Sequence, residues 1–291
     1  MGYYSPVLRK SVNGNYSENF EHGGKTFIVW EEEFAKYLFP DQVENKPKND
    51  SGTRYIYSDG LIGFFGRVGE ARLSNTWGKS AWARLVPFGD DKTDEVTEYV
   101  EEFDRLVKSR APQFADRWRR LLALWESNRD ALRRIYDMLP TSVFQPDDNV
   151  TNLLIDEDGN FKGVIDYNLS GSDVCINIFI SAAYCGLGDL RETPAPAADD
   201  TLRELNETVR RCRIDIMLDG LREISRNYTF SEIEITAAPL LYRYVFSVNY
   251  ESINAFNENA DNDSALCRIF DFIEHELTRT DIDWKGALAD P

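Results

Sequence analysis

Beyond residue 59, apolar residues recur mainly at intervals of three and four, the spacing of helical faces. Leu61, Ile62, Phe65, Val68 and Leu73 form the first such stripe. Thr93-Asp94 precedes Val96, Val100, Phe103 and Val107, which predicts a capped helix running to Lys108. Trp118, Leu121, Leu122, Trp125, Leu132, Ile135 and Tyr136 carry the same period over 115–139, and Pro140 stops it. Residues 201–226 are amphipathic. Ser231-Glu-Ile-Glu234 reads as a capping box for a helix bearing Tyr242, Tyr244 and Phe246, and a last helix is expected over 265–277. The first 57 residues are β-rich and irregular. Lys25-Thr-Phe-Ile-Val-Trp30 follows Gly23-Gly24 as a strand, 31–39 reads as a short helix ended by Pro40, 42–53 as a polar loop, and 54–57 as a strand.

One stretch breaks the helical pattern. Leu153-Leu-Ile155 and Gly163-Val-Ile165 are short apolar runs separated by Asp156-Glu-Asp-Gly159-Asn160, and Asp-Gly between such runs predicts a hairpin. A hairpin brings its ends together. Asn152 and Asp166 then flank one space, with Asp147 in the loop just ahead. Each of the three alone is an ordinary turn residue. Together they are the residue types that phosphotransferases use for a base and two metal ligands.

On these residues the chain resembles the aminoglycoside phosphotransferase and choline kinase superfamily. The family's pattern is His-Gly-Asp, four residues, Asn, an apolar strand, a turn, then Ile-Asp-aromatic. The matching residues are Gln145-Pro146-Asp147, Asn152-Leu-Leu-Ile155 and Gly163-Val-Ile-Asp166-Tyr167, continuing at Gly171-Ser-Asp173. The likeness is sharp over 139–183. Two departures stand out: Gln145 replaces the family's histidine and Pro146 its glycine, and the chain ahead of Asp147 is short for the family. The resemblance implies an α+β, protein-kinase-like fold. Residues 1–57 would be an abbreviated, β-containing N-terminal lobe, and 58–291 a large, mainly helical C-terminal lobe with the hairpin inserted. It implies transfer of the γ-phosphoryl group of ATP or GTP to a hydroxyl of a small molecule, an aminoglycoside, amino alcohol or sugar. Asp147 would be the base, and Asn152 and Asp166 the Mg²⁺ ligands. The alternative is a non-catalytic, pseudokinase-like binding protein of the same fold. A phosphate-gripping Lys–Glu pair is not assignable: Lys25 and Lys10 both have the right type, with Glu31, Glu32 and Glu33 as partners.

Composition narrows the partners. A net charge of −17 disfavours nucleic acid and anionic membranes. No apolar run approaches a membrane span, and Met1-Gly-Tyr-Tyr-Ser-Pro6 lacks the pattern of a secretory signal or a myristoylation start. Cys175, Cys185, Cys212 and Cys267 have no paired spacing, so buried reduced thiols in a cytoplasmic protein are expected. With His22 and His275 the only histidines, a histidine-based triad or metal site is disfavoured. Gly78-Lys79-Ser80 is not a P-loop, because Leu73 stands where the first glycine belongs. Tyr167 stands where a calcium loop needs its last glutamate. Gly63, Gly66 and Gly69 predict close helix packing. Asp189, Glu192, Asp199 and Asp200, with Tyr242, Tyr244, Tyr250 and Phe256, suggest an acceptor that carries an ammonium group.

Overall fold

The computed structural model describes residues 2–44, 46–50, 52, 54–76, 78–87, 92–185 and 200–289, with backbone alone at 185, 200 and 201. The apolar stripes become helices packed on one another. They are α1 (Ile56–Glu70), α2 (Glu95–Arg110), α3 (Ala115–Tyr136), α4 (Cys175–Cys185), α5 (Glu207–Ser225), α6 (Glu232–Phe246), α7 (Tyr250–Glu258), α8 (Asp263–Thr278) and α9 (Trp284–Leu288). Asp94 caps α2 by accepting from the Thr97 backbone N–H at 3.1 Å. Glu95 and Glu98 in the first turn, and Lys108 and Arg110 in the last, match the helix dipole. The Ser231–Glu234 capping box forms as expected. Aromatic contacts join the helices: Phe103 lies 4.9 Å from Trp118, 5.3 Å from Phe256 and 5.8 Å from Phe270. Gly66 meets Ile224, and Gly69 meets Phe179 and Tyr228, so α1 approaches α4 and α5 closely at glycines. No helix among the described residues is long and apolar enough to cross a membrane.

Among the described residues, four two-stranded antiparallel sheets accompany the helices. β1 (Leu8–Arg9) pairs with β4 (Glu31–Glu32), and β2 (Glu18–His22) with β3 (Lys25–Val29). β5 (Thr141–Phe144) pairs with β8 (Gly171–Val174), and β6 (Leu153–Ile155) with β7 (Phe161–Val164). The β6–β7 hairpin is short, but neither edge is bare. Tyr4 bridges to Gly163 and donates its N–H to Lys162 O at 2.8 Å. On the other edge Leu38 and Ile155 exchange backbone hydrogen bonds of 3.0 and 2.8 Å. Phe161 packs on α1 at Gly60, and Tyr3 lies over Phe64 and Phe161. Glycine is required at 163 by proximity: a Cβ there would overlap the Tyr4 carbonyl.

Three expectations are corrected. Residues 31–39 form no helix; Glu31–Glu32 is strand β4, held by the Arg9–Glu31 ion pair, and Phe34 is exposed with no apolar face to bury. Residues 54–57 are not a strand. Arg54 is buried and binds Asp59 at 2.6 Å, Asp219 at 3.1 Å and Ile216 O at 3.1 Å, which turns the chain into the start of α1. Leu73 lies beyond the end of α1, where Arg72 adopts φ 49°, and it is exposed. Of the cysteines, Cys175 is buried with its thiol pushed up to about 12 by burial, whereas Cys267 is exposed on α8.

Gly163→Ala should destabilise the protein by at least about 1 kcal/mol, the usual scale of a steric misfit in a packed position. Urea unfolding measures this. An unchanged midpoint would mean that Tyr4 does not pair with the hairpin.

Candidate functional site

The register of β5 with β8 sets Phe144 beside Gly171. Gln145, the next residue, therefore faces the backbone that leaves the hairpin. Its side chain is buried, and it ties two loops together. Gln145 Nε2 donates to the carbonyls of Ile165 (3.2 Å) and Asp166, while Oε1 accepts the Asp147 N–H at 3.1 Å. Gln145 thus joins the loop of Asp147 to the loop of Asp166. This bridge was not visible in the sequence, where the position was only a mismatch.

Asp147, Asn152 and Asp166 gather at this end of the hairpin. Asn152 is buried and donates from Nδ2 to the Asp147 carbonyl at 3.2 Å; its own carbonyl accepts the Ile165 N–H at 3.0 Å. One of the two Nδ2 hydrogens is engaged in this way, and Oδ1 is the atom of the amide that could meet a cation. The Asp147 carboxylate accepts from Asn149 Nδ2. Asp166 is exposed and sits at φ 59°, ψ 70°, the left-handed region that only glycine occupies freely and Asp or Asn tolerates. Strain of this kind is found where a side chain must be aimed. Neither Asp147 nor Asp166 pairs with a basic side chain among the described residues. Two carboxylates and an amide oxygen, with no countercharge of their own, are the hard donor set that suits Mg²⁺.

Asp148 lies beside them. Burial of its carboxyl, with the charge of Asp147 adding, pushes it up to about 7. Asp173 is fully buried and raised by burial; Ser80 Oγ and Asn177 Nδ2 (3.1 Å) hydrogen bond it, which fastens the 78–86 loop to β8. In that loop Ala81 N–H donates to Leu169 O at 3.1 Å, three residues past Asp166. Between this loop and α2 lies a cleft of about 220 Å³ lined by Trp82, Val86, Thr93, Asp94, Glu95 and Glu98.

The surface expected to hold the acceptor is different. Tyr242, Tyr244 and Phe256 are buried in the core: Tyr242 donates to Glu276 at 2.6 Å and Tyr244 to Asp94 at 2.6 Å. Tyr250 alone of the four is exposed. Asp189, Glu192 and Asp199 lie outside the described residues, as does the Asp200 side chain. A second polar cluster, Glu207, His275 and Glu276, has metal-like spacing, but a guanidinium fills it. Arg279 binds Glu207 at 2.6 Å and Glu276 at 2.7 Å, and His275 Nδ1 lies 3.3 Å from Glu207.

No family model matches the chain, and no curated protein matches it either. Solved structures do. A microcompartment-associated aminopropanol kinase aligns at TM-score 0.46 and 12% identity, over 94% of this chain and 74% of that one. The ADP-bound aminoglycoside phosphotransferase APH(2'')-Ib aligns at 0.38 and 10%, over 90% and 75%. An aminoglycoside phosphotransferase from Alicyclobacillus acidocaldarius aligns at 0.39 and 13%, over 99% and 76%.

Asp148 makes stability depend on pH. Its folded carboxyl keeps a proton up to about 7, against the usual 3.8. The folded chain therefore binds more protons than the unfolded one between these values, and stability falls as pH rises across that window. Asp148→Asn should raise stability at a pH of about 8 by roughly 1–3 kcal/mol, and the gain should vanish near a pH of about 4. Urea titrations at several pH values measure it; a gain independent of pH would remove the buried carboxyl as its cause.

Proposed function

We propose that the protein transfers the γ-phosphoryl group of ATP or GTP to a hydroxyl of a small molecule. The observation that carries this reading is the meeting of Asp147, Asn152 and Asp166 at one end of a hairpin, joined by Gln145 and lacking any basic partner among the described residues. Bound Mg²⁺ would neutralise the charge of the nucleotide phosphates. Asn152 Oδ1 and the Asp166 carboxylate would hold it. Asp147 would accept the proton of the attacking hydroxyl and orient it, with no covalent enzyme intermediate. Gln145 keeps the base and the ligand loop at a fixed separation. Residues 1–57 would form an abbreviated first lobe that reaches the site through Tyr4 and Leu38. The cleft between the 78–86 loop and α2, with the Trp82 indole and the Glu98 carboxylate, favours an acceptor bearing an ammonium group.

A second reading, a nucleotide-binding relative without turnover, is favoured by one observation. Neither Lys10 nor Lys25 meets an acidic side chain among the described residues; Lys10 lies over the Tyr16 ring, and Glu31 pairs with Arg9. A phosphate-gripping Lys–Glu pair is not assembled there. Nucleotide-dependent thermal stabilisation without ATP consumption would select this reading.

ATP consumption with amino alcohols, amino sugars, neutral sugars and sugar acids should be greatest with the amine-bearing acceptors. Asp147→Asn should lower the turnover at least about a hundredfold, and Asp148→Asn should leave it nearly intact. Near-normal turnover in folded Asp147→Asn protein would take that residue out of the role.

Asp166→Ala should abolish Mg²⁺-dependent nucleotide binding in titration calorimetry, and Asn152→Ala should weaken it. Equal affinity in the wild type and Asp166→Ala would end the metal assignment.

A further inference from the structure

Residues 7–34 leave the body after Tyr4 and rejoin it at Leu38, on opposite edges of the β6–β7 hairpin. Between these anchors the chain forms an arm made of β1 to β4. Its side chains are out of place on a free surface. Sixteen large apolar side chains are exposed among the described residues, and ten of them lie in this arm: Val7, Leu8, Val12 and Tyr16, with six more between Phe20 and Phe34. Each of the ten is at least 43% exposed. Together they present roughly a thousand Å² of apolar surface, given the size of such side chains, spread over both faces of the arm. Phe20, Phe27 and Val29 share one face of the hairpin, while Ile28 lies on the other. A two-stranded hairpin is also marginal on its own in water, and β2–β3 gains no third strand among the described residues.

The hairpin indicates what covers it, because one of its faces is self-complementary. Register sets Glu18 opposite Val29, Phe20 opposite Phe27 and His22 opposite Lys25, so these six side chains share a face. The Phe20–Phe27 pair is its centre. Lys25 stands at the turn end and Glu18 at the base, where Ser11, Asn13 and Asn15 hold the carboxylate by hydrogen bonds. A twofold rotation about the Phe20–Phe27 pair brings Lys25 of each copy to Glu18 of the other and buries the four phenylalanines together. Such isologous contacts are the commonest way in which chains pair. We propose that the arm is a dimerisation element: two copies of this chain associate through the Phe20, Phe27 and Val29 face of β2–β3.

Light scattering coupled to gel filtration, and sedimentation velocity, from about one to a hundred micromolar, test this. The wild type should be a dimer within that range. Phe20→Asp with Phe27→Asp should give a monomer whose body unfolds at the wild-type temperature. Lys25→Glu and Glu18→Lys should each weaken the dimer at least about tenfold, and the two together should restore it. A wild type that stays monomeric throughout the range would overturn the proposal and leave the face to another protein or a lipid surface. A dimer that survives the paired Asp substitutions, or charge reversals without mutual rescue, would overturn it equally.

Discussion

A three-residue strand paired with a four-residue strand cannot hold Asp147, Asn152 and Asp166 in place by its own hydrogen bonds. Much of the surrounding architecture answers that constraint. Tyr4 and Leu38 close the two edges of the β6–β7 hairpin, and α1 presses Gly60 against Phe161 from the side. β5 and β8 bring the loops before and after the hairpin together, so that one buried glutamine reaches both. The hairpin is rigid because its neighbours fix it, and the left-handed backbone at Asp166 persists for the same reason.

The helical body was largely legible, because 3.6-residue periodicity and caps are local signals. Asp94 and Ser231 cap α2 and α6 where their spacing says they should, and β6 and β7 fall on the two apolar runs. What was illegible depended on contacts distant in sequence. Arg54 starts α1 by binding Asp59, Asp219 and Ile216 O, two of them more than 160 positions away. Tyr242 and Tyr244 looked like a ligand surface, since a helix with aromatic residues on several sides does not reveal which side is covered. The role of Gln145 was hidden for another reason. Its partners are two backbone carbonyls and a backbone N–H, and main-chain groups leave no mark in a sequence.

The buried charges divide into two kinds. Arg279 and Glu276 are wholly buried and satisfied together, with Glu207 and Asp281 completing the knot between the end of α8 and the start of α5. Breaking such a network leaves an uncompensated charge and costs several kcal/mol. The carboxylates around the hairpin end have no such partners. Burial of the Asp148 carboxyl, with the neighbouring charge of Asp147 adding, raises it instead.

The arm between Tyr4 and Leu38 begins and ends on the same small sheet, so to the rest of the molecule it is one closed loop. The entropy of closing a loop grows only with the logarithm of its length, by about 0.6 kcal/mol per doubling. The arm can therefore lengthen, shorten or be exchanged for another sequence at little cost to the body. The hairpin end, built from residues that each meet several others, has no comparable freedom. Over evolutionary time the arm can drift far faster than the residues at the hairpin end.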